Sequence, residues 1–144
     1  MLLKVLRIAL AIGFVVDFSV AVLALFFQSA LGPLLDIPLK DPAATTIAGG
    51  EFVVVSLLYI AIFRAPQRYR ALLWLVALDQ LFGVLLPAYE IARGNVVASW
   101  KTLGPMPGNA LLAAIYLYGL AKIQPPSPPL LGTGLLQADL GEPP

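Results

Sequence analysis

Cysteine and histidine are both absent from this 144-residue chain, and charged residues make up only 12% of it. Without cysteine, disulfides, thiol chemistry and thiolate ligands for iron–sulfur clusters or zinc are excluded within the chain. Without histidine, imidazole ligation of haem and Ser-His-Asp or Cys-His catalysis are excluded as well. The methionines are Met1 and Met106, a poor basis for axial ligation. Redox or hydrolytic chemistry would have to come from a partner chain, and no cofactor is expected. The net charge is +1, with no basic run and no interleaving of basic with aromatic residues, so nothing points to nucleic acid.

What the chain does contain is apolar surface, with 60% of its residues hydrophobic. A soluble domain is about half apolar and about a quarter charged. A chain this short cannot hide such a surplus from water, so the bilayer is its natural solvent. Lys4 and Arg7 precede an apolar stretch in the manner of a signal peptide. That stretch outruns a signal core and lacks an A-x-A cleavage site, so it reads as a retained helix.

The pattern predicts an all-α integral membrane protein, a four-helix bundle with short loops. A crossing takes about 20 apolar residues. Candidate spans cover residues 5–27, 46–63, 71–91 and 109–123, which makes 1–123 the bundle. Gly32, Pro33, Pro38 and Pro42 separate the first two spans, because proline removes a donor and clashes with the preceding turn. Arg64, Pro66, Arg68 and Arg70 form a tight basic connection to the third. The run from Gly104 to Gly108 ends the next loop, with Asn109 as the N-cap of a short fourth span. An interfacial segment around Trp100 would complete that crossing. Residues 124–144 form a Pro/Gly/Leu-rich tail, beginning with a polyproline-like spacer and expected to remain unstructured.

Lysine and arginine placement sets orientation. Lys4, Arg7, Arg64, Arg68, Arg70 and Lys122 fall on one side, and Lys40, Arg93 and Lys101 on the other. Both termini are therefore expected in the cytoplasm. Tyr69 and Trp74 near one boundary, and Tyr89 and Trp100 near the other, fit interfacial belts.

Asp17, Glu51 and Asp79 lie within spans, and Glu90 lies at the outer end of the third. Ionisable groups at depth are costly and should face the bundle interior or a watery cavity. Spacing supports an inner face: Gly13, Asp17, Ala21, Ala24 and Gln28 recur at i+3 or i+4 in the first span. Asp79, Gly83, Leu86 or Pro87, and Glu90 do so in the third, and Asn109, Ala113 and Tyr116 in the fourth. In the second span Glu51 and Tyr59 lie near one face, with Gly49 and Ser56 nearly opposite. No lysine or arginine lies at comparable depth. The acids are held either as neutral interhelical hydrogen-bond partners of carbonyls, Asn109, Gln80 or tyrosines, or by a bound cation or amine-bearing ligand. The candidate ligand-binding set is thus Asp17, Glu51, Tyr59, Asp79, Gln80, Glu90, Asn109 and Tyr116. Pro87 is expected to kink the third span, eased by Gly83.

Three local textures carry a family resemblance. They are the loop Leu31-Gly32-Pro33-Leu34-Leu35, the end of the second span at Leu58-Tyr59-Ile60-Ala61-Ile62-Phe63, and the connection from Arg64 to Leu72. Over roughly residues 4–123 the chain resembles the DoxX-like small bacterial membrane proteins. That resemblance implies a four-helix membrane fold in the bacterial inner membrane. The wider group includes members named as subunits of thiosulfate:quinone oxidoreductases, and no cofactor motif carries over. There is also a looser architectural likeness to the EXPERA bundles of sterol isomerases and sigma-type receptors, which place acids around a cavity for lipophiles.

The expected role is a non-catalytic accessory subunit of a larger membrane complex, with a protein partner or homo-oligomer. The alternative is a binder of a quinone, lipid or lipophilic amine in an acid-lined cavity. A carboxylate-only isomerase is a third reading.

Overall fold

The computed structural model describes residues 1–37, 39 and 41–124. The tail beyond Gln124, and Lys40 of the outer basic set, lie outside the described residues. Among the described residues all regular structure is helical: α1 (Leu2–Phe26), α2 (Gln28–Leu35), α3 (Pro42–Arg64), α4 (Leu73–Ala92), α5 (Trp100–Leu103) and α6 (Pro105–Lys122), with a 3₁₀ turn at Arg70–Leu72 before α4. Three segments are long and apolar enough to cross a membrane: Leu2–Phe26, Pro42–Arg64 and Arg70–Ala92, with mean hydropathies of 2.5, 2.0 and 1.8. α6 falls short of that standard because its first turn carries Pro105, Pro107, Gly108 and Asn109.

Local chemistry explains where the helices begin and end. The Asp41 carboxylate accepts the Ala43 and Ala44 amides at 2.8 and 3.2 Å, and Pro42 occupies the first helical position, whose amide would have no partner anyway. The prolines at 105 and 107 exploit the same freedom, so α6 starts at Pro105 rather than 109. Asn109 is therefore inside the helix and is not its cap. The Gly32-Pro33 loop is also corrected: α2 runs through both residues and stops at Asp36, which adopts the left-handed conformation (φ 60°) tolerated by aspartate. The segment around Trp100 is the one-turn helix α5, capped reciprocally by Ser99 and Thr102. α4 is continuous through Pro87.

α1 packs chiefly on α3 and α4 chiefly on α6, and contacts of α1 with α6 and of α3 with α4 join the two pairs. Small residues permit this closeness. A side chain at Gly49 would meet Ala24 and Leu25 of α1, one at Gly83 would overlap the Asn109 amide, and one at Gly119 would touch Leu6 and Leu73. At one end of the bundle, Arg7 lies 5.9 Å from the Phe63 ring and Arg70 Nε donates to the Leu120 carbonyl at 2.7 Å. At the other end, the Gln28 amide donates to Thr46 Oγ1 at 2.8 Å and Lys101 Nζ to the Pro33 carbonyl at 2.7 Å.

The core is mainly apolar but takes in several polar groups, and the exterior is apolar as well. Leu6, Leu10, Ile62, Leu73 and Val76 are buried, but so are Asp17, Ser56, Gln80 and two tyrosines. Outside, Ile8, Val15, Val54, Leu85 and Leu111 are each at least 58% exposed. An apolar exterior on every long helix suits lipid rather than water.

Candidate functional site

One polar node lies where the long helices meet. The α1 face built from Leu6, Leu10, Gly13, Asp17, Ala21 and Ala24 turns inward, as its spacing predicts, and carries Asp17 to 5% exposure. α3 contributes Tyr59 and α6 contributes Tyr116, both fully buried. α4 contributes half-buried Asp79 and, one residue on, buried Gln80.

Gln80 is the hub. Its Nε2 lies 2.8 Å from Tyr59 Oη, 3.1 Å from Asp79 Oδ2 and 3.3 Å from Asp17 Oδ2. A primary amide has two hydrogens for these three oxygens. Tyr59 Oη in turn donates to Asp79 Oδ2 at 3.5 Å. Gln80 Oε1 is buried without a partner among the described residues. Beside this set, the Tyr116 ring lies 6.0 Å from that of Tyr59, inclined at 55°, and its hydroxyl donates to the Ala9 carbonyl of α1 at 2.8 Å. The two rings occupy the space that Gly13 leaves, since a Cβ there would lie 2.6 Å from Tyr116 Oη and 2.8 Å from Tyr59. α1, α3, α4 and α6 are thus all joined at one level.

The candidate residues divide accordingly. Asp17, Tyr59, Asp79, Gln80 and Tyr116 converge. Asn109 is apart from them, packed on Gly83. Glu90 is near the end of α4, where it accepts from Asn95 at 2.7 Å. Glu51 is exposed on α3, while Gly49, Ser56 and Tyr59 of the same helix are buried. Gly13 and the Ala9 carbonyl belong to the site but were outside the candidate set. The i+4 relation of Gly13 to Asp17 was the available signal for the first, and a backbone acceptor leaves none for the second.

Two open clefts, of about 500 and 550 Å³, border α2. The larger is mostly apolar, lined by Val20, Ala24, Leu31, Leu35 and Phe52 among others. Neither cleft is lined by Asp17, Tyr59, Asp79 or Gln80. Chemically, the node can couple helices through hydrogen bonds, and its two carboxyl groups share one amide donor. Among the described residues no group of three or more acidic side chains is disposed to hold a metal ion. Comparison with protein-family models, curated proteins and solved structures returns no match.

Proposed function

We propose that this chain is a DoxX-like four-helix protein of the bacterial inner membrane, acting as a non-catalytic accessory subunit of a larger membrane complex. α6, about 27 Å long at 1.5 Å per residue, makes the fourth crossing. The end of the bundle that joins Arg7 to Phe63 and Arg70 to Leu120 faces the cytoplasm, following the excess of lysine and arginine there.

The observation that carries this reading is the engagement of the node. Asp17, Tyr59, Asp79 and Gln80 bond to one another across three helices, with Tyr116 packed beside them from a fourth. The chain's deep polar groups at that level are used in holding helices together. The clefts described lie elsewhere. A rigid bundle with an apolar exterior suits a component that docks within the bilayer.

The second reading, a binder of a quinone, lipid or other lipophile, rests on the larger cleft beside α2, α1 and α3. Its volume of about 550 Å³ lies in the range of small-molecule pockets. Native mass spectrometry of the protein released from its own membranes separates the two. A reproducible heavier assembly containing another chain supports the subunit. A lone chain or homo-oligomer carrying a stoichiometric small molecule overturns it in favour of the binder.

A further inference from the structure

Glu51 is the acid that the bundle leaves out. It is exposed on α3, and among the described residues it makes no hydrogen bond or ion pair. At 1.5 Å per residue it lies about 14 Å along the helix from Pro42 and about 20 Å from Arg64, within the apolar stretch. Its neighbours on the outer face are Ile47 and Val54, 65% and 58% exposed. Gly50 lies beside it with no atom within 4 Å of where a Cβ would be, so the surface is open to close approach by another backbone. The opposite side of α3, through Gly49 and Ser56, is the buried one.

An unpaired carboxylate on a lipid-facing surface within a membrane span is costly. A complementary cation on a docked helix would satisfy it. Among the described residues, a second copy of this chain offers no lysine or arginine at that depth. Lys4, Arg7, Arg64, Arg68, Arg70 and Lys122 stand toward one end of the bundle, and Arg93 and Lys101 toward the other. Turning a copy over only exchanges the ends.

We infer that the Ile47–Gly50–Glu51–Val54 face of α3 docks a transmembrane helix of a different protein, one that carries a lysine or arginine at the depth of Glu51. The inference rests on the accessory-subunit reading and names the chemistry of its partner. Gly50 sets the close approach, Ile47 and Val54 supply the apolar contact, and the Glu51 charge selects the partner and fixes its register.

The test replaces Val54 with a photo-crosslinking phenylalanine analogue in the full chain, irradiates native membranes, and maps the adduct by mass spectrometry. The expected adduct joins a membrane span of another protein, with a lysine or arginine within one turn of the linked residue. Its yield should fall at least fivefold in Glu51→Leu and recover when Glu51→Lys is combined with an acid at the partner's basic position. Thermal unfolding of the isolated Glu51→Leu protein should match the parent, which separates docking from folding. Four outcomes overturn the inference: linkage to a second copy of this chain, linkage to a span without a basic residue, adducts with lipid alone, or a yield indifferent to Glu51→Leu. If native mass spectrometry still shows a heavier assembly, this face fails by itself. If it shows none, the accessory reading fails with it.

Discussion

Replacing Gly13 with alanine would place a methyl carbon 2.6 Å from the Tyr116 hydroxyl and 2.8 Å from the Tyr59 ring. Both rings are completely buried, so neither can swing into solvent. The easiest escape is for Tyr116 to retreat, which breaks its 2.8 Å bond to the Ala9 carbonyl and disturbs its packing on Tyr59. Overpacking of this kind costs about 1–3 kcal/mol, and a stranded hydroxyl about 1 kcal/mol more. The better helix propensity of alanine returns about 1 kcal/mol. The expected net loss is therefore about 1–3 kcal/mol. Gly50→Ala is the internal control, because a Cβ there meets nothing within 4 Å. It should be neutral or stabilising, by up to about 1 kcal/mol. Reversible unfolding in mixed micelles, followed by circular dichroism, reads both variants on one scale. If Gly13→Ala proves as stable as Gly50→Ala, the tyrosines are not packed on Gly13 as described, and the node is misplaced.

Two further substitutions address the node and the basic end. Gln80→Leu removes the donor shared by Tyr59, Asp79 and Asp17. It should destabilise the bundle by about 1–3 kcal/mol in the same unfolding assay, since buried acceptors are left unpaired; an unchanged midpoint would contradict the hub. Arg70→Met removes the bond to the Leu120 carbonyl and should cost about 1.5–3 kcal/mol, as for other charged donors. Hydrogen exchange in the last turn of α6 should quicken while α1 exchange holds steady.

The parts of the fold legible in the sequence were those written as uninterrupted apolar period. α1 was readable within three residues at its start, and its inward face, including Asp17, followed from i+3 and i+4 spacing. Proline positions were read too strictly. Pro105 and Pro107 looked like helix breakers, yet in a first turn their missing amides cost nothing, and so α6 begins earlier than spacing implied. α2 was hidden for a similar reason, since a proline at the sixth residue removes one late bond from an already short helix.

Faces were harder to assign than elements. α3 carries small or polar residues on both sides, Gly49 and Ser56 on one and Gly50 and Glu51 on the other. Periodicity shows which residues share a side, not which side meets α1. Asp79 and Gln80 are 100° apart on the helix, so one of them points more deeply inward, and the more buried is the neutral amide. The sequence carried the ingredients of the node, but its centre was set by packing.

The proposed function requires that all four long helices cross the membrane, with residues 67 and 124 on the same side. The native chain has no cysteine, so single cysteines report without background. Gln67→Cys, Asn95→Cys and Gln124→Cys would be made separately and treated with a membrane-impermeant maleimide in sealed, oriented vesicles. Positions 67 and 124 should label from one side and position 95 from the other. Labelling of 124 together with 95, and apart from 67, would mean that α6 does not cross, and the four-span account would be wrong.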